Sequence, residues 1–150
     1  MTVKDIMTKK VTGVSPELNA KEALALLQKM KISGLPVIDG KNRLVGMFTE
    51  KEVLSYVLPT YVENVGRFIY QENSKAIKNK VVSFFKARVK DLMRKDVVTI
   101  SEDATVYEAA HLMLTQKARR VPVLDKEGAV SGIISRVDVV RVLFEDEGNR

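Results

Sequence analysis

VKDIMTKKVTGVS, residues 3–15, returns 86 positions later as VKDLMRKDVVTIS, residues 89–101. The same shift carries KEALALL (residues 21–27) onto YEAAHLM (107–113) and LPVID (35–39) onto VPVLD (121–125). It also carries GMFTEKEV (46–53) onto GIISRVDV (132–139). Four blocks obeying one shift without a gap mark an internal duplication, so the fold must be read as one unit made twice.

Each copy has the same rhythm. A short β-branched run at 11–14 or 97–100 predicts a strand. Asn19-x-x-Glu22 and Thr105-x-x-Glu108 then have the spacing of capping boxes, which predicts helices starting there. Ala20, Ala23, Leu24, Leu27 and Met30 recur at helical spacing, as do Val106, Ala109, Ala110 and Met113. LPVID-GKNR-LVGMF and VPVLD-KEG-AVSGII predict hairpins with glycine-containing turns, Pro36 and Pro122 standing where strands begin. A second helix is expected after each hairpin, from about Lys51 and from about Val137.

The result is an α+β fold of two strand-helix-strand-strand-helix units. A unit of about fifty residues leaves a sheet face uncovered, and a second copy can cover it about a pseudo-twofold axis. The expected division is 1–58 for the first unit, 59–88 for a helical insertion and 89–150 for the second unit. In the insertion Pro59 should end the preceding helix. Val62, Val65 and Ile69, then Ile77, Val81 and Phe84, predict two helices.

Composition narrows the function. The chain has 150 residues, no cysteine and a formal charge of +6, which excludes disulfides, thiolate catalysis and cysteine metal sites within it. Neither a signal peptide nor a membrane-spanning run is expected, which points to a cytoplasmic protein. The lone His111 sits on an expected amphipathic helix, no His or Cys cluster has metal-ligand spacing, and no catalytic constellation appears. The expectation is a protein that is not an enzyme. Between Ser55 and Arg88, six basic residues (Arg67, Lys75, Lys78, Lys80, Lys86, Arg88) face two acidic ones (Glu63, Glu72). Interleaved with Tyr70, Phe84 and Phe85, they form a pattern able to grip nucleic acid, although those aromatics also fall on apolar helical stripes expected to be buried.

The repeat, its element order, the PV strand and the G-x-x-[ST]-x-x-[DE] ending together resemble the cystathionine β-synthase (CBS) domain pair, or Bateman module. The resemblance covers nearly the whole chain except the insertion, and implies a stand-alone regulatory pair without a required cofactor; a homodimer joined through its helical faces is expected. The implied ligands are AMP, ADP, ATP or S-adenosylmethionine, held between the two units to regulate a separate protein. By that resemblance Ser135, Arg136 and Asp138 would work with Thr12, Gly13, Val14, Ile32, Ser33, Gly34 and Pro36. Thr49 and Glu52 would work with Val98, Thr99, Ile100, Ala118, Arg119, Arg120 and Pro122. The acids would hold ribose hydroxyls, Arg119, Arg120 and Arg136 phosphate, and strand backbone the adenine edge. Glu52 departs from the family, which more often has Asp.

A plainer reading stands beside this one, since [ST]-x-x-[DE] before a helix is also a capping box. On that reading Thr49 with Glu52 is the better cap, and Ser135 with the shorter Asp138 the poorer. A dimerisation module without ligand and a nucleic-acid-binding protein are the alternatives to a nucleotide sensor.

Overall fold

Helix starts follow the spacing of their caps. In the computed structural model, which describes residues 1–58 and 74–148, Asn19 accepts from the Lys21 N–H at 2.9 Å and opens α2 (Ala20–Met30). Thr105 and Glu108 form the full reciprocal box at the head of α6 (Val106–Thr115), with bonds of 3.1 and 3.0 Å. The remaining elements are α1 (Val3–Ile6), β1 (Gly34–Ile38), β2 (Leu44–Thr49), α3 (Glu50–Val57) and α4 (Ser74–Phe84). After these come α5 (Val89–Leu92), β3 (Ile100–Ser101), β4 (Arg120–Leu124), β5 (Val130–Ser135) and α7 (Arg136–Gly148).

The first strand of each copy is shorter than expected. Of residues 11–14 only Val14 pairs, in a parallel bridge to Val37, and of 97–100 only Ile100 enters a strand, opposite Val123. Thr12 and Gly13 are exposed, so β-branched residues there have no pleated neighbour to pack on. The first hairpin turn also differs. Its left-handed residue is Asn42 (φ 62°) rather than Gly40, and Gly128 (φ 82°) holds the equivalent place one repeat later. Lys31 and Lys117, both at φ 54°, repeat the same left-handed step just beyond α2 and α6.

The described chain divides into two compact units that cut across the order of the repeats. A central unit comprises residues 13–39 and 45–95, and a terminal unit residues 1–12, 40–44 and 96–150. In the central unit Val14, Ala23, Leu27, Leu35, Val37 and Phe48 form a core together with Phe84 and Val89. In the terminal unit β3, β4 and β5 form a three-stranded sheet in that order. Its core joins Val121, Val123 and Ile134 to Val106, Ala109, Met113 and Val139, and to Val3.

Each core is thus completed by the lead-in of the other repeat, and the bonds match one for one. In the terminal unit the Val3 N–H donates to Ala104 O (2.8 Å) and the Lys4 N–H to Glu102 O (3.0 Å). In the central unit the Val89 N–H donates to Leu18 O (2.8 Å) and the Lys90 N–H to Pro16 O (2.9 Å). Thr8 exchanges two backbone bonds with Ile133, and Arg94 does the same with Met47. These close approaches explain the glycine of GMFTEKEV and GIISRVDV. A Cβ on Gly46 would stand 2.8 Å from Arg94 O, and one on Gly132 2.8 Å from Thr8 O.

Of the two helices expected in the insertion, the one through Val62, Val65 and Ile69 lies outside the described residues. The other is α4, which packs on α3. Phe84 is buried beside Tyr56 (ring centroids 6.3 Å apart), and the Tyr56 hydroxyl hydrogen-bonds Ser83 Oγ at 2.7 Å. Phe85 breaks the expectation of burial. It is about half exposed, with Lys21 Nζ 5.1 Å from its ring centre, because it follows the helix end and turns off the apolar stripe.

Glu17 adds an electrostatic clasp in the central unit. Lys90 Nζ at 3.1 Å and the Arg88 guanidinium, in that order of effect, hold its carboxyl below the usual carboxylate range. A lowered carboxyl contributes stability that is full above its unfolded pKa and lost as pH falls through the folded one. Glu17→Gln should therefore lower the melting temperature slightly at neutral pH and by less at an acid pH below the usual carboxylate range. An equal loss at both pH values would remove the clasp from the account.

Candidate functional site

The two [ST]-x-x-[DE] corners differ in a way opposite to the expectation. At the head of α7 the Ser135 N–H donates to Asp138 Oδ2 (3.0 Å), and the Asp138 N–H donates to Ser135 Oγ (3.2 Å). That is a complete capping box made with the shorter acid. At the head of α3 Thr49 Oγ1 accepts from the Lys51 N–H at 3.2 Å and donates to Glu52 Oε2. Glu52 does not close a box there.

The exchanged segments differ as well. Arg94, brought in with the second repeat's lead-in, places Nη1 3.8 Å from Glu52 Oε1. Its counterpart one repeat earlier is Thr8, which carries no charge. Glu52 is 9% exposed and accepts from Thr49 Oγ1. Asp138 is partly open, with Arg141 Nη2 at 3.1 Å from Oδ1. A carboxylate has about four acceptor positions, and these bonds leave Asp138 with room for more.

Three arginines gather at the Asp138 corner. Arg120 lies directly across from Ser135 in the β4–β5 ladder, and the Arg136 N–H donates to Arg119 O at 3.0 Å. Arg136 Nε donates to Ala118 O at 2.8 Å, which fixes the guanidinium beside the strand end. Arg119, Arg120 and Arg136 are exposed, whereas Pro122 is buried in the strand behind them. Val98 and Thr99 are half-buried, and Ile100 is in β3.

In the central unit Thr49 packs close to Gly34, whose Cβ position lies 3.0 Å from Thr49 Cγ2. Gly34 begins β1, Pro36 is buried within it, and Ile32 and Ser33 precede it, Ser33 exposed. Val14 is bonded on both sides, its N–H to Pro36 O (2.9 Å) and its carbonyl to the Ile38 N–H (2.8 Å). Gly13 lies against the Ile38 side chain. Within each unit, then, each acid stands beside the strand of its own repeat.

Arg94 and Arg141, the ion partners of the two acids, were not singled out from the sequence. Arg141 was legible as an i,i+3 partner of Asp138 on a helix. Arg94 was not, because its partner lies in the other repeat. Among the described residues no group of three or more His, Cys, Asp or Glu side chains could hold a metal ion. Nor is any described helix long and apolar enough to cross a membrane.

The CBS domain family model matches residues 3–59 and 89–145. An uncharacterized protein of Methanocaldococcus jannaschii is 30% identical over 96% of this chain and 92% of its own length. The inosine-5'-monophosphate dehydrogenase of the same organism is 33% identical over 91% of this chain, which spans only 22% of that enzyme. The structure of CBSX2 from Arabidopsis thaliana superposes with a TM-score of 0.77 at 30% identity, covering 99% of this chain and 98% of that one. CBSX2 in complex with AMP gives a TM-score of 0.73 at 29% identity, with 97% and 98% covered. Matched in both repeats and along almost all of each, the chain belongs to the CBS domain family.

Proposed function

We propose that this CBS pair is a non-catalytic regulatory module that binds an adenosine nucleotide, AMP, ADP or ATP, and acts on a separate protein in the cytoplasm. The observation that carries the reading is the Asp138 corner. There an acid held by its capping box keeps acceptors for ribose hydroxyls, and Arg119, Arg120 and Arg136 stand ready for phosphate. The AMP complex of CBSX2 supports it by likeness. Glu52, the more deeply buried of the two acids, is the weaker ribose acceptor.

Calorimetric titration with AMP, ADP, ATP and S-adenosylmethionine tests the proposal directly, and no heat from any of them would sink it. Asp138→Asn keeps a cap acceptor but removes the charge. It should weaken the bound nucleotide by about tenfold or more, as expected for one charge-assisted hydrogen bond of about 1.5–3 kcal/mol. Replacing Arg119 and Arg120 together by alanine should hurt ATP more than adenosine. Equal losses would move the phosphate elsewhere.

A further inference from the structure

Residues 75–86 lie outside both matches to the CBS domain model, so the duplicated fold does not account for what they display. From residue 73 to residue 90 the chain carries six lysines and arginines and no acid. Glu17 holds Arg88 and Lys90, and Lys80 Nζ lies 4.9 Å from the centre of the Tyr56 ring. Lys75, Lys78 and Lys86 are exposed, and among the described residues none of them enters an ion pair.

Helical geometry sets these lysines around apolar groups. Lys75, Lys78 and Val82 fall on one stripe of α4, while Ile77 and Phe84 point to the opposite side, where Phe84 is buried. Val82 is 56% exposed, and Phe85, the first residue past the helix, 47%. The Phe85 N–H still bonds to Val82 O at 3.2 Å, which continues the turn and keeps the two side chains neighbours. The ring is also fixed from below. Asn19 Nδ2 donates to the Phe85 carbonyl at 3.0 Å, and the Ala20 N–H donates to Ala87 O at 2.9 Å. Lys21, near the start of α2, sets its ammonium 5.1 Å from the Phe85 ring centre. The result is an apolar knob, Val82 with Phe85, flanked by four lysines.

We infer that this knob seats the protein on an anionic lipid surface. Val82 and Phe85 enter the boundary between headgroups and acyl chains, and Lys21, Lys75, Lys78 and Lys86 meet the headgroup charge. The formal charge of +6 adds attraction in the same direction. Two features favour lipid over nucleic acid. Lys21 already stands at the Phe85 ring, and valine has no flat face on which a base could stack. The exposed cations are also lysines, compact point charges, whereas Arg88, with the planar fork suited to nucleic acid, is held by Glu17. No residue of the Asp138 corner takes part.

Co-sedimentation with vesicles tests the proposal. The protein should pellet with vesicles of phosphatidylcholine containing about one third phosphatidylserine, and stay in solution with phosphatidylcholine alone. Each lysine at such a surface contributes roughly fivefold in affinity. Lys75→Gln, Lys78→Gln and Lys86→Gln together should therefore weaken binding about a hundredfold and leave the thermal transition unchanged. The same charge loss elsewhere, through Lys9→Gln, Lys10→Gln and Lys117→Gln, should weaken it far less. Val82→Ser with Phe85→Ser keeps every charge and should weaken binding about tenfold, a loss that a purely electrostatic contact would not show. No binding to the anionic vesicles, or equal binding to both kinds, would overturn the proposal. So would equal losses in the two lysine sets, or no loss on replacing Val82 and Phe85. A single-stranded oligonucleotide bound more tightly than the vesicles, and released by the same lysine variant, would overturn it in favour of nucleic acid.

Discussion

Deleting residues 1–8 will unfold the terminal unit, although those residues open the other repeat. Val3 is fully buried in that core, and burying such a side chain is worth about 1.5–3 kcal/mol. The deletion also removes the partners of Ala104, Glu102 and Ile133 in the backbone bonds they share with Val3, Lys4 and Thr8. Each of those bonds contributes about 1 kcal/mol net, and more where the abandoned group stays dry. Against a total stability of about 5–15 kcal/mol the combined loss is large. Amide hydrogen exchange should show protection collapsing in α6, β4, β5 and α7 while α2, β1 and β2 keep theirs. Unchanged protection in β5, where Ile133 meets Thr8, would contradict the exchange of segments as the source of stability.

Gly132→Val will have the next largest effect, and Gly46→Val should match it. A Cβ at Gly132 meets Met7 Sδ at 2.5 Å, which a flexible methionine can yield, but also Thr8 O at 2.8 Å, which belongs to a bonded backbone. At Gly46 the obstacles are Met93 Sδ and Arg94 O, both at 2.8 Å. Even alanine forces the lead-in strand outward, at about 1–3 kcal/mol by the usual cost of overpacking, and the two extra methyls of valine add to that. Thermal or urea transitions of the two variants would measure it. A loss confined to one of the two positions would mean that the lead-ins do not seat equivalently.

The duplication was legible because it is a matter of register, and register survives the divergence of individual residues. The helix starts at Asn19 and Thr105 followed from local chemistry alone. The prolines misled, because Pro36 and Pro122 are the third residues of β1 and β4 and not their first. Nor did the first strands follow from local chemistry. The β-branched run at 11–14 has strand composition, but strand formation depends on a neighbour, and Thr12 has solvent instead. The turn residue Asn42 was hidden behind Gly40 because both suit a turn and only the backbone angle decides.

At the corners, cap quality was judged from side-chain length, and the structure closes the box with the shorter acid. Glu52 also has Arg94 of the other repeat at 3.8 Å, where the matching Thr8 carries no charge. Such a neighbour is invisible to any reading of a single repeat. The glycines of GMFTEKEV and GIISRVDV belong to the same class. They read as part of a ligand motif, and in the structure they make room for a strand from the other repeat.

The crossing of lead-ins also sets a timetable for synthesis. Residues 13–95, with 40–44 set aside, contain the whole central unit, so that unit can close once Val89 and Arg94 leave the ribosome. The terminal unit cannot. Val3 is made well before its acceptor on Ala104, which follows about a hundred residues later, or roughly 5–20 s at ordinary elongation rates. Throughout that interval Val3, Ile6 and Met7 have no core to enter. Residues 1–12 are therefore made before the central unit yet protected after it.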